Sequence, residues 1–194
     1  MIAGMPLIVA PLMLIAALAQ PPAAAPAGSQ PLVSELATAF TTVAEDLRAA
    51  AGKMPADRYG YRPVEGVRSF GQVIAHVSGA HFLYCSQAAG RRMEADLARR
   101  MSELRPFSDV GTAASARTYG KEELVPLLTE SIAFCQGVYA QHGAAAAPPP
   151  SAAAARALIG NVAHDNEHYG NLVTYLRLNG LVPPSTERRA SPPR

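Results

Sequence analysis

Apolar residues recur at three- and four-residue steps in four separate stretches of this chain, and no run alternates polar with apolar residues. That pattern restricts the chain to helices that each bury one stripe. In the first stretch the stripe is Leu32, Leu36, Phe40, Val43, Leu47, Ala51 and Met54, and Pro55 stops it. After an ordered loop, Ser69 and Gln72 match a capping box, the sequence signature of a helix start. The second helix carries Phe70, Val73, Ile74, Val77, Ala80, Leu83 and Tyr84 and ends at Gly90. The third starts near Lys121 with Leu124, Leu127, Leu128, Ile132, Cys135, Val138 and Tyr139; Pro126 fits only within its first turns. The fourth runs from a Ser151 cap to Asn179 and stops at Gly180.

Four long helices in one chain predict an all-α fold, a four-helix bundle. Residues 91–120 connect the second and third helices. Residues 91–104 can form a short polar helix, and Pro106 and Gly111 break the remainder of the link. A link of that length crosses the bundle end to end, whereas the other two loops suit antiparallel neighbours. The expected topology is therefore up-down-down-up, with a long crossover between helices 2 and 3. Helices 2 and 3 would run parallel, placing Cys85 and Cys135 at nearly the same height. A disulfide between them is sterically conceivable if those helices touch. Two small buried thiols are the other reading.

The ends read differently. Residues 7–19 are a short apolar run closing in Ala17-Leu18-Ala19, the pattern of a signal peptide over residues 1–19. Met1 to Pro6 supply no Lys or Arg, so an uncleaved anchor stays open as an alternative. Residues 20–31 are a Pro/Ala-rich spacer expected to be disordered. Residues 32–184 suit one domain, and 185–194 are expected to be a disordered tail. The expected location is periplasmic or secreted. With a net charge of +2 and no dense basic run, nucleic acid is not expected as a partner. No membrane contact is expected beyond the signal segment. The base rate for bundles with an exposed apolar stripe admits a homodimer.

Chemistry concentrates in five His residues. His164 and His168 lie four apart, one turn apart on one helix face. They share that face with Asn161, Leu172 and Tyr175, and Leu172 turns it inward. Two buried imidazoles need a partner, and a divalent cation supplies one. His76, between Val73 and Ala80, is the best third ligand; its plain alternative is a core imidazole bonded to a carbonyl. His81 is rotated about 140° from His76 and faces elsewhere. His142 stands at a helix end, in solvent. Asn161, Tyr84 and Tyr175 are candidates to support the ligands. Asp165 and Glu167 read as a solvated helix face. The string from His164 to Glu167 and His168 also fits an inverted zincin, but no further acidic ligand comes after it except Glu187 in the tail.

Three stretches taken in order carry a resemblance. They are a Pro-containing loop, then residues 69–77 (SFGQVIAHV), then residues 164–180 (HDNEHYGNLVTYLRLNG). Together they resemble the DinB-like (DinB/YfiT) metal-binding four-helix bundle superfamily over residues 32–184. The resemblance implies His76, His164 and His168 as ligands of a divalent ion, commonly zinc or nickel. Three His leave at least one coordination position open, the pattern of catalytic rather than closed structural sites. Such an ion lowers the pKa of bound water or thiol. Two functions are compatible with this: a metal-dependent transferase or hydrolase acting on a small molecule, or a non-catalytic bundle whose ion is structural. No catalytic residue beyond the ligands stands out. The export signal departs from the better-known cytoplasmic members, which puts dependence on cytosolic thiols in doubt.

Overall fold

The computed structural model describes residues 29–108 and 118–190. Six α-helices and no strands occur among them: α1 (Ser29–Lys53), α2 (Phe70–Ala88), α3 (Ala95–Ser108), α4 (Lys121–Gly143), α5 (Ala152–Leu178) and α6 (Pro184–Ala190). The signal segment and most of the spacer, residues 1–28, lie outside the described residues, as do 109–117 and 191–194. None of the described helices is long and apolar enough to cross a membrane.

Local chemistry sets the helix boundaries. Ser69 Oγ accepts from the Gln72 amide at 3.3 Å while Gln72 Oε1 accepts from the Ser69 amide at 2.8 Å, closing the capping box read from sequence. Gln72 Nε2 also donates to the Phe107 carbonyl at 2.7 Å, so the cap of α2 holds the end of α3. Ser151 Oγ accepts from the Ala154 amide at 3.1 Å and caps α5. Gly180, just past α5, takes φ +72°, a value that favours glycine after a helix. Pro106 does not break the chain as expected; it sits inside α3.

The long helices pack α1 on α4 and α5, and α2 on α4 and α5. The contacts fix their directions. Arg68 near the start of α2 meets Tyr175 late in α5, while Tyr84 late in α2 packs on Gly160 early in α5, so these two run antiparallel. Gly71 lies beside Leu124, and His142 beside Ala88, so α2 and α4 run parallel. Sequence-adjacent α1 and α2 are not among the closely packed pairs, and neither are α4 and α5. The two short loops therefore join helices placed diagonally across the core rather than side by side.

The core runs through all four long helices. Phe40, Leu47, Ile74, Leu124, Leu128, Leu158 and Leu172 are fully buried, and Phe40 stacks on Tyr139 at 4.7 Å between ring centres. Leu32 and Leu83, expected on the apolar stripes, are exposed. The tail also departs from expectation. Residues 184–190 form α6, whose Arg188 guanidinium pairs with the buried Asp46 carboxylate of α1. Ser185 N–H donates to the Tyr169 hydroxyl at 2.9 Å. Two directional anchors order a segment whose composition alone reads as disordered.

Cys85 and Cys135 form a disulfide with Cα atoms 5.4 Å apart, joining α2 to α4 across 50 residues of chain. Closing a loop of that size removes much of the unfolded chain's freedom. The Cys85→Ser/Cys135→Ser variant is expected to lose about 2–4 kcal/mol of stability. Urea unfolding of both proteins checks this, and equal midpoints would contradict it.

Candidate metal centre

Three imidazoles meet between α2 and α5. His76 comes from the second turn of α2, and His164 and His168 from successive turns of α5. His164 Nε2 lies 3.1 Å from His76 Nε2 and 3.1 Å from His168 Nε2. One nitrogen from each residue falls within 4.8 Å of the others. Tetrahedral zinc with Zn–N bonds of 2.0–2.1 Å separates its nitrogens by about 3.3 Å, so the cluster is the right size for one ion. Among the described residues no fourth His, Cys or carboxylate joins them.

The donors also suit a cation chemically. A ligand imidazole must be neutral. Burial first, then the neighbouring His164, His76 and Arg68, pulls His168 from 6.5 down to about 3. His164 Nδ1 is buried and has no hydrogen-bond partner. With Nε2 given to a metal, Nδ1 carries the ring proton, and Asp165 Oδ1 lies 3.8 Å away, beyond hydrogen-bond reach. The Asn171 side-chain amide stands 3.3 Å from His168 Nδ1. Turned with its oxygen toward that nitrogen, it accepts the His168 ring proton and fixes the tautomer.

The depressed His168 makes a pH prediction for the metal-free protein. Its folded pKa lies below the unfolded one, so the unfolded chain binds the extra proton. The stability from neutral, buried His168 is present above pH 6.5 and is lost as pH falls toward 3. Metal-free wild type is therefore expected to lose stability more steeply between pH 7 and pH 4 than a His168→Gln variant. Urea unfolding across that range checks it; parallel slopes would contradict it.

Behind the three ligands lies a second polar cluster, fully buried. His81 Nδ1 is 2.9 Å from Ser131 Oγ, and His81 Nε2 is 3.0 Å from both oxygens of Asp165. Both side chains of this pair have zero exposure. Ser131 Oγ also stands 2.8 Å from the Leu128 carbonyl, so its hydroxyl either donates there and accepts from Nδ1–H or turns to donate to a bare Nδ1. In either arrangement a proton lies between Nε2 and the Asp165 carboxylate, since two lone pairs at that distance would repel. Asn161 Nδ2 reaches toward Asp165 Oδ2 and the Tyr139 hydroxyl, 3.4 Å from each. Asp165 is thereby committed to His81 and is not a free base at the metal cluster.

The predicted ligands His76, His164 and His168 come together as expected. His81 faces away from them, as read, but into the core. Asp165 corrects the reading: it is not on a solvated face, because it lies on the same inward stripe as Leu158 and Leu172. Glu167 is exposed, which leaves an inverted zincin without its base. His142 is not free in solvent either; its Nε2 is 3.0 Å from the Ala88 carbonyl. Tyr84 supports the cluster, with its ring 5.7 Å from that of His164. Tyr175 does not; its hydroxyl donates to the Arg68 carbonyl at 2.7 Å.

A model of the DinB superfamily matches residues 39–172. The chain belongs to the DinB superfamily. The match spans α1 through most of α5 and includes all three clustered imidazoles. DinB-like proteins are helical and bind metals, which agrees with the all-helical fold and the His triad of this one. Comparison with curated proteins gives no match.

Proposed function

We propose that this DinB-superfamily protein holds a divalent ion, zinc or nickel, on His76, His164 and His168, and acts with it on a small molecule as a transferase or hydrolase. The observation carrying this reading is the convergence of three Nε2 atoms without a fourth protein donor among the described residues. Bound there, the ion supplies Lewis acidity and a lowered pKa for an incoming water or thiol. The chain supplies the rest. Asn171 orients the His168 ring, and burial keeps His168 neutral. His76 and His164 are partly exposed, which gives a small molecule a way in. In this reading α1, α2, α4 and α5 form an up-down-down-up four-helix bundle, with the link between α2 and α4 as its crossover. The apolar run at residues 7–19 and the Cys85–Cys135 disulfide both support export to an oxidising compartment.

A structural ion is the second reading, favoured by one observation: the triad joins α2 to α5, as a staple would. Cobalt substitution separates the two. An open position predicts that azide or a small thiol shifts the visible spectrum of the cobalt protein, and that a screen of thiol, ester and amide substrates finds turnover. An unchanged spectrum and no turnover would leave the ion structural.

A further inference from the structure

One groove lies farther along the same α2–α5 seam. It has a volume of about 600 Å³ and is lined by Tyr84, Gln87, Arg91, Arg92, Ala153 and Arg156. Three exposed arginines line one space, and none makes an ion pair or side-chain hydrogen bond among the described residues. Ala153 belongs to the first turn of α5, a helix of 27 residues, so the positive helix end adds to the same field. Arginine forks match carboxylate and phosphate oxygens in pairs. Like charges held together this way are self-repelling, and an anion between them removes that cost.

The groove is joined to the triad by Tyr84. Its ring lies against Gly160, where an added Cβ would stand 3.1 Å from Tyr84 Cε1, and it also packs on His164. Glycine at 160 thus lets one aromatic ring form both the wall of the groove and the side of a metal ligand. Ala157, which also lines the groove, lies seven residues before His164 on the same face of α5, so the near edge of the groove is about 10 Å from the triad.

We propose that this groove is an anion subsite: it takes the carboxylate or phosphate end of the small molecule whose other end reaches the His triad. The second half rests on the metal-centre reading; anion binding itself does not.

Isothermal titration of the metal-loaded protein with inorganic phosphate and with succinate tests it and tells the two anion types apart. Arg91→Gln/Arg156→Gln is expected to weaken the anion that binds at least tenfold while leaving metal content unchanged. Equal affinity in wild type and the variant, or no binding of either probe to wild type, overturns the subsite. The same titration on His168→Ala, and on wild type stripped with a chelator and dialysed, finds the anion's position. Binding retained in both supports the groove. Binding lost in both, with the arginine variant unaffected, makes the anion a metal ligand and overturns it. In cobalt-loaded protein, phosphorus relaxation is expected to place bound phosphate more than about 10 Å from the ion; a direct-ligation distance would refute the geometry. Absence of metal from wild type would sink the metal centre alone, and the titrations would still judge the groove.

Discussion

Replacing His168 with Ala will lower divalent-metal affinity by about a hundred- to a thousandfold. A protein site built on His and Cys ligands yields ~10–16 kcal/mol of binding free energy, so losing one of three equivalent donors removes several kcal/mol. His76→Ala should do the same, since its Nε2 meets the same point from the other helix. Asn171→Ala, which removes only a ring-orienting partner, should cost about tenfold. Glu167→Ala and His142→Ala should cost nothing: one side chain faces solvent and the other is engaged with the Ala88 carbonyl. Competition against a chromophoric chelator, with metal content measured by mass spectrometry, ranks the five variants. Full metal content in both ligand variants would remove the metal centre altogether. The Asn171 result separates a tuned site from three donors that merely happen to be close.

How burial is inferred decides which parts of the molecule are legible in its sequence. Apolar residues announce a buried face, so the long helices and the triad's two helices were legible from Phe40, Ile74, Leu128 and Leu172 and their neighbours. The His triad was legible because His164 and His168 bracket one turn beside Leu172. Polar residues at core positions send the opposite signal. His81 lies on the stripe Ile74, Ser78, His81, Cys85 and Ala88, all buried, yet two of its five members are polar and mask it. Asp165 sits seven residues from both Leu158 and Leu172, a spacing that places it inward. The bare presence of a carboxylate next to His164 suggested solvent instead. Weighing position over residue type would have found both. The disulfide was only half legible, because heights along two helices can be counted but their contact cannot. The order of α6 could not be read at all, since it depends on Asp46, about 140 residues away in sequence. Nor could the diagonal placement of consecutive helices, which short loops permit as readily as side-by-side packing.

Asp165→Ala will destabilise the protein by ~3–5 kcal/mol, and a second substitution will restore most of that loss. The shared proton makes His81 and Asp165 a unit in which removing either partner leaves the other buried and unsatisfied. Removing the carboxylate leaves His81 Nε2 without its partner in a fully buried space beside Phe40, whose ring centre lies 5.6 Å from that of His81. Nδ1 can donate to Ser131 or accept from it, but either tautomer leaves Nε2 without its partner. His81→Leu alone strands the Asp165 carboxylate in the same way, with only the Asn161 amide in reach. The His81→Leu/Asp165→Val double variant removes both polar groups and fills a similar volume. Ser131 keeps its bond to Leu128, and Asn161 keeps Tyr139. The double variant should therefore be more stable than either single one, with a coupling of at least ~2 kcal/mol. Urea unfolding of chelator-treated protein measures this without any contribution from metal. Additive losses would mean that the two side chains do not share a proton, and that the cluster behind the triad is two separate polar groups. A stable double variant that still binds metal more weakly than wild type would instead show Asp165 serving two neighbours at once: His81, with which it shares a proton, and His164, beside which it lies.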